Sequence, residues 1–183
     1  MELGLIDPEG VLEGATQIAS PNHDERPEGE DVRLLVVHNI SLPPGEFGGD
    51  GVVRFFTNTL DFSAHPYYET LRELKVSAHF LIRRDGELIQ LVPCAKRAWH
   101  AGASSWRGRE RCNDFSVGVE LEGADDLAFA DTQYSCLASL LVCLRRQYPI
   151  VDIVGHADIA PGRKTDPGTA FDWGRLRDSL AGI

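Results

Sequence analysis

The chain has 183 residues, 43% hydrophobic and 25% charged, the balance of a globular domain with a real core. Eighteen basic and 28 acidic residues leave a net charge of −10, which argues against a nucleic-acid binder. No apolar run approaches the ~20 residues of a membrane span, and the opening "MELGLIDPEG" lacks the apolar stretch of a secretory signal.

Residues 1–30 have no strong periodicity and end in the polar connector "PNHDERPEGED", so they read as an irregular segment packed on one domain spanning 1–183. "VRLLVVHN" is a short apolar run with β-branched valines and predicts a buried strand ending at His38. "LPPGEFGGDG" is a loop, and "VVRFFTNTL" and "HPYYETLRELK" read as helices. In "HFLIRRDGELIQLV" two apolar runs flank Asp85-Gly86, which predicts a β-hairpin with a type I′ turn. "DFSVGVELEG" alternates Val117, Val119 and Leu121 against Gly118, Glu120 and Glu122, as a strand does. "DTQYSCLASLLVCLRRQYP" has leucines at helical spacing, an Asp131 or Thr132 cap and a terminating Pro149. "VDIVGH" predicts a strand ending at His156, and "FDWGRLRDSL" a terminal helix. Strands alternating with helices, plus one hairpin, predict an α/β fold: a central mixed sheet flanked by helices.

The four cysteines, Cys94, Cys112, Cys136 and Cys143, form no C-x-x-C pair. With no export signal they read as free thiols of a cytoplasmic protein, and a monomer is the default state. The charge is uneven. Residues 72–111 hold nine Lys or Arg against four Asp or Glu, a basic zone that suits a small anionic ligand better than a long polyanion.

"VDIVGHADIAPGRKTDPGTAFDW" carries most of the chemistry. Its glycines and prolines forbid a long helix, yet it holds His156, Lys164 and Asp166 within eleven residues. Zinc prefers nitrogen and sulfur donors, accepts carboxylate oxygen, and when catalytic keeps three protein ligands. His38 and His156 at strand ends, with Asp166 on a proline-stiffened loop, are one candidate set. On spacing alone His79 and His100 compete with them, and each residue also reads as an ordinary polar position. Glu120 is either a solvent-facing strand residue or a carboxylate able to take a proton from water. Lys164 is either an exposed lysine or a cation that stabilises a developing oxyanion.

Five strings taken together, "VVHNISLPPGEFGGDGV", "VSAHFLIRRDGELIQLVP", "KRAWHAG", "GRERCNDFSVGVELEG" and "VGHADIAPGRKTDPG", resemble the zinc-dependent amidase-2 family in order and without large insertion. The resemblance implies the fold of peptidoglycan recognition proteins and phage T7 lysozyme. It implies one Zn²⁺ on His38, His156 and Asp166, with Glu120 and Lys164 catalytic and His79 and His100 lining or supporting the cleft. It further implies an anhydro-muropeptide substrate, cleaved between the lactyl group of 1,6-anhydro-N-acetylmuramic acid and L-alanine during peptidoglycan recycling. Arg111, Asn39, Trp99 and Lys75 are then candidate substrate contacts, Arg111 as a carboxylate clamp. A non-catalytic peptidoglycan-fragment binder of the same fold is the alternative. It would be marked by loss of a ligand or of the glutamate, and all are present.

Overall fold

The computed structural model describes residues 3–181, so the two residues at each end of the expected 1–183 domain lie outside it. Among these described residues ten strands and four α-helices follow one another. They are β1 (Thr16–Gln17), β2 (His23–Glu25), β3 (Leu34–Ile40), α1 (Gly51–Phe56), β4 (Phe80–Ile82), β5 (Leu88–Gln90) and β6 (Lys96–Ala98), then β7 (Ser105–Trp106), β8 (Arg109–Glu110), β9 (Ser116–Glu122), α2 (Asp131–Gln147), β10 (Asp152–Gly155), α3 (His156–Ile159) and α4 (Trp173–Ala181). Six strands form one sheet in the order β1-β5-β4-β9-β3-β10. Only the β4–β5 pair is antiparallel, so the sheet is mixed, as expected.

The two-residue period of β3 and β9 divides their side chains between two cores. Leu35, Val37, Val117, Val119 and Leu121 pack with Leu137, Leu140, Leu141 and Leu144 of α2 and Leu176 of α4. Leu34 and Val36 point the other way, into a cluster with Phe115, Val154 and Ile159. On that second side Leu81, Ile89 and Leu91 meet Phe55 and Phe56 of α1 with Tyr68 and Leu71. Each fully buried Leu or Phe contributes roughly 1.5–3 kcal/mol, so the helices on both faces lock strand register strongly.

Several expectations need correction. The 1–30 segment is not irregular throughout: β1 extends the main sheet, and β2 pairs antiparallel with β6. That ribbon lacked an apolar pattern because it is held by charge, through Lys96–Glu25 and Arg97–Asp24 ion pairs. β3 runs two residues past His38, to Ile40. "HPYYETLRELK" forms a 3-10 helix over Pro66–Leu71, capped by His65 accepting from the Tyr67 N–H, in place of an α-helix. The hairpin exists, but five residues separate its strands and Gly86 alone, at φ +91°, takes a positive angle, so the turn is not type I′. α2 is capped at Ala130, whose N–H donates to Gln133 Oε1, in place of Asp131 or Thr132. β10 stops at Gly155, and His156 opens a helical turn where Asp158 accepts the Gly155 N–H at 2.7 Å.

Three histidines, His38, His79 and His100, are buried beside the second core. Burial pushes His38 down to about 4 despite the opposing Asp166, and burial drives His79 and His100 well below the ordinary imidazole value. Each is neutral in the fold but takes up a proton in the unfolded chain below pH ~6.5. The unfolded state then binds more protons, so stability falls as pH drops through that window. His79→Asn removes one such group. Between pH 7 and 5.5 its urea midpoint should translate into a loss of stability about 1 kcal/mol smaller than the wild type's. Equal losses in both proteins would mean that His79 titrates normally in the fold.

Candidate metal centre

The parallel register of β3 and β9 sets His38 directly beside Glu120, on the face opposite α2. α3 brings His156 in from the end of β10, the strand on the other side of β3. The following loop returns Asp166, whose carbonyl accepts the Ala157 N–H at 2.9 Å. Arg163 ties this loop down by donating to Ala101 O and Ala103 O, both at 2.7 Å. Gly and Pro are needed here because the chain must reverse within ten residues and still aim two donors at one point.

The result is a triangle. His38 Nδ1, His156 Nδ1 and Asp166 Oδ2 lie 3.0 Å from one another, pair by pair. Among the described residues these three form the one group of this kind able to hold a metal ion. The donor chemistry fits a cation. Burial pushes the Asp166 carboxyl up, but the two imidazoles against it outweigh that and hold it well below the usual carboxylate range. It is therefore an anion facing two ring nitrogens, and the second nitrogen of each ring has a separate partner. His156 Nε2 lies 3.1 Å from Ala101 O, and His38 Nε2 lies 2.9 Å from His100 Nδ1. Such outer contacts orient metal-binding imidazoles elsewhere.

Glu120 is buried, not solvent-facing, because β9 is a central strand covered on both faces. Its Oε2 is buried without a hydrogen-bond partner among the described residues. Burial raises its carboxyl well above the ordinary value, the negative Asp166 adds to this, and Lys164 counters in part. A buried carboxylate with an open oxygen beside a donor triangle is placed to exchange a proton with whatever occupies the space between.

That space is a cavity of about 330 Å³ lined by His38, Asn39, His100, Glu120, His156, Lys164 and Asp166. Its opposite wall is apolar: Phe55, Phe56, Tyr67, Leu71, Leu74 and Val76. Sequence reasoning did not find this wall. The signal was present in "VVRFFTNTL" and "HPYYETLRELK", but an apolar residue facing a cleft and one facing the core look alike in sequence. Asn39 lines the cavity with its amide donating to Asp125 Oδ1 at 2.6 Å. Trp99 and Lys75 are not among the lining residues. Lys75 is exposed next to Leu74, and Trp99 engages Ser77 through its backbone N–H. Arg111 lies outside the cavity, in a neighbouring groove with Ser104, Ser105, Ile159, Pro161 and Arg163. Its guanidinium is largely exposed, 3.2 Å from Asp114.

Residues 28–169 match the family model for N-acetylmuramoyl-L-alanine amidase. The chain is 58% identical over 175 residues to the 1,6-anhydro-N-acetylmuramyl-L-alanine amidase AmpD of Citrobacter freundii, covering 94% of this chain and 93% of that protein. It superposes on the crystal structure of a selenomethionine AmpD derivative with a TM-score of 0.94 and 56% identity, over 97% and 99% of the two chains. It is also similar to Escherichia coli AmiD, solved in complex with the substrate anhydro-N-acetylmuramic acid-L-Ala-D-γ-Glu-L-Lys, with a TM-score of 0.59, 30% identity, and 98% and 66% coverage. The donor triangle, the buried glutamate and these likenesses agree: the chain belongs to the N-acetylmuramoyl-L-alanine amidase family.

Proposed function

We propose that this amidase binds one zinc ion on His38, His156 and Asp166 and hydrolyses the amide between the lactyl group of 1,6-anhydro-N-acetylmuramic acid and L-alanine. The observation that carries the reading is the 3.0 Å triangle of two imidazole nitrogens and one carboxylate oxygen beside the unpartnered Oε2 of Glu120. Two histidines and one carboxylate are a recurrent catalytic zinc set, with the remaining position left for water or substrate. The substrate class is that named for the similar AmpD and AmiD proteins.

Zinc in this position supplies Lewis acidity toward a carbonyl and brings the pKa of water from about 15.7 to about 7. The chain's own residues do the rest. Glu120 accepts the proton of the attacking water at Oε2, where no other hydrogen bond competes. Its desolvation raises its proton affinity, which suits a group that must take a proton and then deliver it. It then passes the proton to the alanine nitrogen, since an amine leaves poorly unless protonated. The Lys164 ammonium stabilises the negative charge that develops on the carbonyl oxygen. The apolar wall of Phe55, Tyr67, Leu71 and Leu74 covers the apolar faces of the sugar and excludes water from the reacting bond. Arg111 in the adjoining groove binds a carboxylate of the stem peptide. Asn39 orients the substrate from the cavity edge, and Lys75 and Trp99 act at its periphery. We further read the protein as a single-domain, monomeric, cytoplasmic enzyme of peptidoglycan recycling. Among the described residues no helix is long and apolar enough to cross a membrane.

Two sets of variants test this. His38→Ala, His156→Ala and Asp166→Ala should each lose stoichiometric zinc and activity together, as metal analysis of the purified proteins will read. One of them that keeps a full equivalent of zinc and full turnover removes that residue from the site. Glu120→Gln should keep zinc and bind substrate, with kcat down roughly 10²- to 10⁴-fold. Lys164→Ala should keep zinc and lose about 10²- to 10³-fold in kcat, as loss of one oxyanion donor does. Arg111→Ala should act mainly on KM. Wild-type turnover in Glu120→Gln refutes the proton-transfer role, and loss of its zinc makes Glu120 a ligand.

A further inference from the structure

The two metal-facing histidines are oriented by different means. For His156 the answer is local: Nε2 lies 3.1 Å from Ala101 O, which only accepts, so the ring proton sits on Nε2 and the Nδ1 lone pair is free. His38 has no carbonyl behind it. Its Nε2 faces His100 Nδ1 at 2.9 Å, and between two imidazoles either ring is able to donate.

The direction is decided two residues further out. His100 Nε2 lies 3.1 Å from Ser116 Oγ, and Ser116 Oγ lies 2.6 Å from Cys112 O. The Cys112 carbonyl only accepts, so the single proton of the Ser116 hydroxyl is committed to it. Ser116 therefore offers His100 only a lone pair, and His100 must donate from Nε2. Among the described residues the His100 ring bonds only His38 Nε2 and Ser116 Oγ and no carboxylate, and a singly protonated ring that donates from Nε2 accepts at Nδ1. His38 then donates from Nε2, and its Nδ1 lone pair points into the triangle.

The ring that carries this order has little freedom. A Cβ built on Gly118 would lie 2.4 Å from His100 Cγ, so any larger residue there displaces the imidazole. Gly118 N–H donates to His79 Nδ1 at 3.0 Å, which places the His79 proton on Nε2, facing Lys96 O at 3.0 Å. His79 meets His100 edge-on, with ring centroids 5.7 Å apart. The backbone N–H groups of His100 and Ala101 both donate to Asn113 Oδ1.

We propose that His100 and Ser116 are positioning residues: a one-way hydrogen-bond relay, polarised by the Cys112 carbonyl, that holds His38 in the tautomer able to bind the metal. The relay rests on the zinc reading given above for the use to which the His38 lone pair is put, but not for its own polarity.

The test combines zinc affinity with ring-nitrogen spectroscopy on the full chain. Competition against a chelator gives the zinc Kd, and ¹⁵N NMR of the imidazoles reports which nitrogen carries the proton, with and without zinc. Wild type should show His100 protonated at Nε2 only, in both states. His100→Leu, which fills the space but accepts nothing, should raise the zinc Kd roughly 10- to 100-fold, the usual effect of losing an outer partner. His100→Asn, whose amide oxygen occupies about the place of Nδ1, should recover most of that loss, which a merely space-filling role would not produce. Ser116→Ala should let both His100 tautomers appear. His100 protonated at Nδ1 in the wild type overturns the relay whether or not any variant folds. Zinc binding of His100→Leu equal to wild type overturns it too, as does His100→Asn binding no better than His100→Leu. A wild-type chain that takes up no zinc, yet shows His100 protonated at Nε2, refutes the metal reading and leaves the relay standing.

Discussion

The register between β3 and β9 is the constraint on which the site depends. Val36 lies beside Gly118 and His38 beside Glu120. A slip of one residue would turn Val37 or Val119 toward the cavity and send His38 or Glu120 into the leucines of α2. What prevents it is apolar: Leu35, Val37, Val117, Val119 and Leu121 are all buried against α2 and α4. The polar groups of the centre are thus aimed by hydrophobic packing on the opposite face of the same strands.

Behind the site the charge arrangement is unusual. Arg26 is half-buried and has no carboxylate partner among the described residues; it donates instead to the carbonyls of Cys94, Asn113, Asp114 and Ser116 at 2.8–3.1 Å. Burial pushes its guanidinium down to about 10. These carbonyls belong to the turns that carry Ser116 and, through Asn113, His100. A segment without local periodicity thereby ties together the backbone on which the outer part of the metal site stands. One guanidinium reaching four carbonyls satisfies groups that would otherwise be buried unpaired, each worth roughly 1–3 kcal/mol.

The main elements with a local period or breaker were legible in the sequence, while their caps, turn type and exact ends were not. The apolar runs of β3, β9 and β10, the leucine spacing of α2 and the Gly/Pro loop ahead of Asp166 all carry a period or a breaker, and the structure has each in place. His38, His156 and Asp166 converge as a set only because the sheet order puts β10 beside β3, and no spacing rule contains that order. The resemblance to known amidases supplied it. Larger features were not legible either. The β2–β6 ribbon is held by ion pairs, which leave no hydrophobic pattern. The alternation in β9 suggested one wet face, but a central parallel strand is dry on both, so Glu120 is buried. Lys75 and Trp99 share a basic, aromatic stretch with cavity residues, yet side-chain direction there depends on loop geometry that composition does not record.

The central claim is that His38, His156 and Asp166 hold zinc, and X-ray absorption at the zinc edge of the loaded wild-type protein tests it most directly. The account predicts two imidazole nitrogens with only oxygen donors beside them, at about 2.0–2.2 Å, and no sulfur. The four cysteines are buried and none belongs to the His38–His156–Asp166 donor group, so a zinc–sulfur distance near ~2.3 Å, or a count of fewer than two imidazoles, would contradict it.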